Sequence, residues 1–332
     1  MSIDVSVVDD SDEWNALLAD TEVASPFHRY EALEVFADHG DADLHALVGR
    51  KGQEPVGLFP LFTLRKGPMT VAMSPPPNLK LPYLGPVLRF AGSPKRRRRE
   101  KQHRRFLDAC LAWLDASHAP KFVNVRTAVG YGDARPFSWN GFEVTPRYTY
   151  LVDLTREPDD LLARFSSDAR RNVTREYDAD VTVEEGDAGT IDRIVRMLTD
   201  RHAEQGEDFP ITPAFVRDLY QQLPDGVVRP YRCLVDGEFA TGVVDVEGGR
   251  RGHAWIGRAK GDSDLPVNDL LDWGVFRDSM DRGVASYDLV GANSQRLSAY
   301  KSKFGPELVP YYEIQRGAWP LTAAAKFYGY LK

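Results

Sequence analysis

Two lysines near the end of the chain, Lys301 and Lys303, stand beside Tyr300 and just ahead of a Phe304-Gly305-Pro306 break. The run that leads to them, Ala285 to Val290, is β-type; it stops at Gly291, and Asn293 opens a helix. The pattern is strand, turn, helix, with cations delivered at the last turn, where the helix dipole stabilises positive charge. Acyl transfer from a thioester or ester to an amine asks for little more than that. It needs a deprotonated nucleophile, positioning, and charge aimed at the carbonyl oxygen as it becomes an oxyanion. Lys301 is the first candidate for that charge and Lys303 the second. Asp288, at the end of the β run, is placed to orient or deprotonate an acceptor amine; its other reading is as an acceptor for backbone N–H groups of the next turn.

The elements that must hold these residues can be traced upstream. Pro158 to Tyr177 reads as one helix, with Leu161, Phe165, Ala169 and Val173 as a core stripe at four-residue spacing. Arg164, Arg171 and Arg175 then share another face and Arg170 adjoins it, a set that either binds phosphate bidentately or pairs with Asp168 and Glu176 in solvent. A second helix runs from Pro266 to Asp281, its buried stripe formed by Val267, Leu270, Leu271, Gly274 and Val275, with Asn268 in the first turn facing ligand or solvent.

The halves repeat one another weakly. GRKGQEPVGLFPLF and LVDGEFATGVVDV are both strand, glycine turn, strand, and pair Gly52 with Gly237 and Gly57 with Gly242 at a constant offset of 185. Each is followed by a strand, a helix and a short β run. The first half differs by a long proline-rich excursion, SPPPNLKLPYLGPVLRFAGSPKRRRRE, which is extended and loop-like.

The element Tyr300-Lys301-Ser302-Lys303-Phe304-Gly305, following a strand that ends in Asp288 and a glycine-rich turn, resembles the closing motif of the Fem-type branch of the GNAT superfamily. That branch includes peptidoglycan-bridge aminoacyltransferases and acetyltransferase-like domains of polysaccharide biosynthesis clusters. TYLVDLTREPDDLLARFSSDARRNVTREYDADVTVEEGD resembles its opening block, so the resemblance covers Tyr148 to Tyr312 and extends more loosely to the N-terminal part. It implies an α+β protein of two tandem GNAT-like domains, each a mixed, mostly antiparallel sheet flanked by helices. Residues 1–145 would be a degenerate, substrate-contributing domain and 146–332 the catalytic one, with the boundary between Gly141 and Tyr148.

The implied activity is transfer of an acyl or aminoacyl group to an amine, the acceptor being a small molecule or glycan precursor such as an amino sugar. Acetyl-CoA or another acyl-CoA is the implied donor, aminoacyl-tRNA the alternative, and a non-catalytic nucleotide-sugar or glycan-binding module the rival class. In relatives a lysine matching Lys301 lies close to the reacting centre, and a Tyr-x-Gly-Pro element matching Tyr83, Gly85 and Pro86 faces substrate, with Arg89 just beyond. The implied substrate contacts are therefore Tyr83, Arg89, Arg170, Arg171, Trp255, Asn268, Asn293 and Tyr300. GNAT enzymes hold the coenzyme A pyrophosphate on an Arg-x-x-Gly-x-Gly/Ala loop at a helix start. Arg258 and Gly261 match its first half, but Asp262, Ser263 and Asp264 depart from it.

Composition narrows the alternatives. The chain has 332 residues and a formal net charge of −7, with arginine far ahead of lysine and aspartate ahead of glutamate, as in a salt-rich cytoplasm or from a GC-rich genome. Two separated cysteines form no CxxC pair, the N-terminus is acidic, and no apolar run approaches a bilayer span, so a cytoplasmic, reducing location without a transmembrane segment is expected. The basic run Lys95 to Arg105 lacks interleaved aromatics and leads straight into FLDACLAWL, which makes it a solvated helix start rather than a DNA site, with tRNA the less favoured partner. Histidines are scattered, so no metal is expected, and GxSxG, Walker and GxGxxG motifs are absent. The aromatic tail AWPLTAAAKFYGYLK reads as docking on the second domain, with peripheral membrane contact as the alternative.

Overall fold

The computed structural model describes residues 2–21, 23–90, 95–259 and 263–317. Gly261, Asp262 and the tail 318–332 lie outside the described residues. Two compact units emerge, one from residues 1–147 with the chain from Pro310 onward, the other from Tyr148–Val309. The architecture is α+β, two tandem units each with a mixed, mostly antiparallel sheet flanked by helices.

The first unit contains β1 (Asp4–Val7), α1 (Ser11–Leu18), α2 (Tyr30–Gly40), β2 (Asp43–Lys51), β3 (Glu54–Lys66), β4 (Met69–Ser74), β5 (Val87–Leu88), α3 (Arg96–His118), β6 (Phe122–Arg126) and α4 (Arg135–Trp139). The chain leaves it along β7 (Glu143–Asp153). The second unit adds α5 (Pro158–Arg164), α6 (Ser167–Thr174), β8 (Val181–Glu185), α7 (Ala188–Glu204), α8 (Pro213–Gln222), β9 (Val228–Val235), β10 (Glu238–Gly248), β11 (Arg251–Gly257), α9 (Val267–Asp281), β12 (Ser286–Asp288) and α10 (Gln295–Lys301). From there β13 (Glu307–Gly317) carries the chain back.

The repeat is one of pairing. In the first unit β1, β2, β3 and β4 pair antiparallel in turn, β4 pairs parallel with β6, and β6 pairs antiparallel with β13. In the second, β8, β9, β10 and β11 pair antiparallel, β11 pairs parallel with β12, and β12 pairs antiparallel with β7. A helix covers each parallel crossover, α3 in one unit and α9 in the other. The offset between the hairpins is 184, one less than glycine alignment suggests. Both turns hold two residues, Gly52-Gln53 and Asp236-Gly237, and each hairpin carries a bulge two residues past the turn, so Gly57 corresponds to Thr241. The faces agree: a Cβ on Gly57 would meet Phe106 of α3 at 2.9 Å, while Thr241 bonds Asn268 of α9. Gly242 points the other way, toward Ile194 of α7.

Each unit buries apolar side chains on both sheet faces. Under α3, Phe106, Leu107, Cys110, Leu111 and Leu114 meet Leu47, Phe59, Leu61 and Val125. Under α9, Val267, Leu271, Val275 and Phe276 meet Tyr231, Val243 and Tyr287. The basic start of α3 is solvated: Arg96 pairs with Glu100 one turn on, and only at His103, hydrogen-bonded to Tyr131 in the core, does the helix turn inward. Among the described residues, no helix is long and apolar enough to cross a membrane.

The segment 158–177 corrects a sequence expectation. It is two helices, because Phe165 takes an extended backbone (φ −65°, ψ 150°) to drive its ring against Trp273, Phe276 and Phe304. Ser166 then caps α6 by accepting from Ala169 N–H at 3.2 Å. The apolar stripe survives the break, with Leu161, Phe165 and Ala169 buried, but the arginine face does not. Arg164 donates to the Gly305 carbonyl, Arg171 pairs with Asp168, and Arg175 lies over the Tyr177 ring.

Candidate functional site

The parallel pair at the centre of the second unit is short. β11 and β12 pair only over Arg251–His253 and Ser286–Asp288; beyond them β11 continues along β10 to Gly257, with Trp255 the extra residue of a bulge. A Cβ at Gly257 would sit 2.4 Å from the Gly242 carbonyl, so glycine lets the two strands close at that end. The carboxyl end of such a parallel pair is where open α/β sheets receive ligands. α9 begins there at Pro266, with no side chain capping it.

The described side chains at this end form one connected network. Arg258 leaves β11 in the left-handed region (φ 61°), and its Nε donates to Asp272 Oδ1 of α9 at 2.5 Å. Another guanidinium nitrogen donates to the Tyr287 hydroxyl at 3.0 Å, which itself donates to Asp245 Oδ2 at 2.5 Å. The second oxygen of Asp272 accepts from the Tyr300 hydroxyl at 2.8 Å. Lys303 lies 3.7 Å over the Tyr300 ring and pairs with Asp269 in the first turn of α9, and Asp269 also accepts from Asn172 of α6 at 2.8 Å. Asp272 is fully buried and the Arg258 side chain only 13% exposed. Burial and the neighbouring acids push the Tyr287 and Tyr300 hydroxyls well above the ordinary tyrosine value, so both act as neutral donors.

Lys301 borders this network at the end of α10. Its ammonium donates to the carbonyls of Val290 and Gly291, the latter at 2.9 Å, in a turn where both residues have positive φ. Burial, reinforced by the Arg258 charge and partly offset by Asp288 and Asp272, pulls its pKa down to about 8. Asp288 is fully buried and accepts from the Thr149 hydroxyl at 2.6 Å and from Val290 N–H at 2.8 Å.

The structure thus brings Lys301, Arg258, Asn268 and Tyr300 to one end of the sheet, with Lys303 beside them. Asn268 braces the start of α9, accepting from Thr241 at 2.9 Å and donating to the Arg258 carbonyl at 3.3 Å. The Arg258 guanidinium is turned inward, where it ties loop to helix. Asn293 is spent on Tyr148, accepting from its N–H at 2.8 Å and donating to its carbonyl at 3.1 Å. Trp255 points to the opposite sheet face, edge-on to Phe215 of α8. Arg170 and Arg171 are exposed on α6. In the first unit, Tyr83 is buried edge-on to Tyr311 at 4.8 Å, and Arg89 pairs with Asp20 at the surface. Gly261, the other half of the expected pyrophosphate loop, lies outside the described residues.

Asp245, Asp272 and Tyr287 were not singled out from the sequence. The signal was present: each acid interrupts an apolar run, Val243-Val244-Asp245-Val246 and Leu270-Leu271-Asp272-Trp273. An acid buried in such a run must be paired or neutralised. Asp245 does both. Its Oδ1 has no partner among the described residues, and burial, offset in part by Arg258 and the Tyr287 bond, pushes its pKa up to about 7. The group is neutral in the fold between roughly pH 4 and 7, where the unfolded chain ionises it, so its contribution to stability falls as pH rises through that window. Asp245→Asn should therefore melt several degrees above the wild type at pH 8 and match it near pH 4.5, read by thermal melts at both values.

Residues 164–302, within the second unit, match the model of the acetyltransferase (GNAT) domain family. Over the whole chain the fold is similar to that of FemX (TM-score 0.69, 13% identity, 93% of this chain and 96% of that one). It is also similar to the L-PGS structure from Bacillus licheniformis (0.56, 12%, 94% and 94%) and to a tandem GNAT protein from the clavulanic acid biosynthesis pathway (0.52, 14%, 95% and 98%). The chain resembles the Fem-type, tandem branch of the GNAT superfamily in fold. No curated protein matches the sequence.

Proposed function

We propose that the protein is an N-acyltransferase that takes an acyl group from an acyl-CoA thioester and delivers it to an amine, with an amino sugar of a polysaccharide precursor as the acceptor class. The observation that carries this reading is the parted β11–β12 pair, with α9 starting uncapped at its carboxyl end and the Lys301 ammonium beside it. In the reaction the amine nitrogen attacks the thioester carbonyl carbon. A C–N bond forms and the C–S bond breaks; the amine proton leaves, and the released thiolate takes one up.

Lys301 supplies positive charge toward the carbonyl oxygen as it becomes an oxyanion. The start of α9 offers N–H groups and dipole to the donor's phosphates. Two acids of its first turns do not oppose that fit, because Asp269 is neutralised by Lys303 and Asp272 by Arg258, whereas Asp264 just ahead of the helix has no ion pair among the described residues. Asp288, bound by Thr149 and the turn, orients the segment that carries Lys301. The chemistry is assigned to residues 146–332, and a role in binding acceptor to residues 1–145.

Thermal melting of the purified protein with acetyl-CoA, UDP-sugars and bulk tRNA in turn tests the donor. Acetyl-CoA should raise the melting temperature by several degrees. Stabilisation by tRNA alone would replace the donor with an aminoacyl-tRNA, and stabilisation by UDP-sugars alone would favour a binding module.

A further inference from the structure

The first unit holds a cation without a partner among the described residues. Alternate residues of a strand share a face, so on β6 the side chains of Val123 and Val125 enter the core beneath α3, while Asn124 and Arg126 lie on the opposite face. Across the antiparallel register, Asn124 faces Gln315 and Arg126 faces Glu313 of β13, and Tyr311 shares that face. Cross-strand register therefore offers Arg126 an acid. Glu313, however, gives its Oε2 to Arg147, at 2.8 and 2.6 Å. The Arg126 guanidinium makes no hydrogen bond or ion pair with any described residue.

Its surroundings make that costly. Burial pulls its pKa below the ordinary arginine value, with Arg147 adding repulsion and Tyr311, Glu313 and Tyr83 only partly offsetting it. Yet the residue is only half-buried, so its donors remain reachable. Two positions along the same face, Asn124 Oδ1 is buried and likewise unbonded among the described residues. The loop bearing Tyr83 is fixed beside Arg126: Leu84 N–H donates to the Arg126 carbonyl at 3.0 Å, and the Tyr83 ring stands edge-on to Tyr311. A half-buried guanidinium and a buried, unfilled acceptor on one face, with Tyr311 on that face beside Tyr83, are complementary to a ligand rather than to the fold.

We propose that Arg126 and Asn124 form an oxyanion-binding site of the first unit, taking a carboxylate or phosphate on Arg126 and an N–H or O–H of the same ligand on Asn124. The two side chains arise about 7 Å apart along the strand, which sets the spacing between the ligand's anion and its donor. The site deepens the reading that the first unit binds acceptor, and its test needs neither donor nor turnover.

Calorimetric titration of the full chain at low ionic strength, with inorganic phosphate, N-acetylglycine and the neutral N-acetylglycinamide, examines it directly. Saturable binding of at least one anion is expected, with none for the amide. Arg126→Gln should weaken that anion about tenfold or more, and Arg126→Lys should restore part of it. Tighter binding of phosphate assigns the oxyanion to a phosphorylated ligand; tighter binding of N-acetylglycine, weakened further by Asn124→Leu, assigns it to a carboxylate. Ligand-free Arg126→Gln should melt at or above the wild type, because it removes a half-buried charge that no described residue pairs. Equal anion binding by Arg126→Gln, no binding of either anion to the wild type, or a marked drop in its ligand-free melting temperature would each overturn the proposal.

Discussion

Asp272→Ala should cost the protein about 3–5 kcal/mol, the penalty for leaving a buried charge without its counterion. Asp272 is fully buried and receives both Arg258 Nε and the Tyr300 hydroxyl, so its removal strips the guanidinium of its nearest anion and the phenol of its acceptor. A fall in melting temperature on the order of 10 °C is expected for a chain of this size. The deficit should also depend on pH. Asp272 is one of the charges that keep Asp245 protonated, and Asp245 reaches Arg258 through Tyr287. Without Asp272, the Asp245 carboxyl loses its proton more readily and becomes the remaining anion for the guanidinium. The variant should therefore be most destabilised at pH 5, where Asp245 is neutral, and least at pH 8. Combining Asp272→Ala with Asp245→Asn should abolish that recovery. Melts of the three variants across pH decide it: a single variant as stable as wild type would mean that the ion pair does not tie the loop to the helix.

Much of this arrangement was legible as pattern. The strand-helix-strand order of 251–288, the glycine turn at Gly291 and the lysines at the end of α10 follow from local chemistry, because turn residues, apolar spacing and helix-end cations are each decided within a few positions. What local reasoning missed was decided at a distance. Phe165 breaks a helix of good periodicity because its ring completes an aromatic cluster with residues a hundred positions away. The hairpin offset is 184 because bulges, not glycines, set which residues face the crossover helices. Arg258 matched a phosphate-loop arginine by spacing, yet its guanidinium is turned to Asp272, a residue outside the buried stripe that spacing marks on that helix.

The same distinction separates bracing from chemistry among the cations. Lys303 is held by Asp269 and the Tyr300 ring, and Arg258 by Asp272 and Tyr287, so each has a partner of opposite charge or an electron-rich face. Among the described residues, Lys301 alone of the three is held only by neutral carbonyls. Its charge is positioned without being neutralised, which is the condition an oxyanion-stabilising group must meet.

Lys301→Ala should accordingly lower kcat/KM for acyl transfer by about 10²-fold or more, the scale of removing one charge-stabilising donor from an acyl-transfer site. Its melting temperature should change little, because losing two hydrogen bonds to the 290–291 turn is offset by no longer burying an ammonium. Loss of activity could still reflect a shifted turn, and the pH profile separates the two. With its pKa pulled down to about 8, the Lys301 ammonium is present below that pH and is lost as pH rises through it. The acceptor amine gains nucleophilicity in the same direction, so wild-type kcat/KM should rise and then fall with an alkaline limb near pH 8. Arginine keeps its charge throughout this range. Lys301→Arg should retain part of the activity and lose the alkaline limb. If Lys301→Arg shows the wild-type limb, or Lys301→Ala keeps full activity, the lysine only braces the turn and the charge that meets the oxyanion must come from elsewhere in the network.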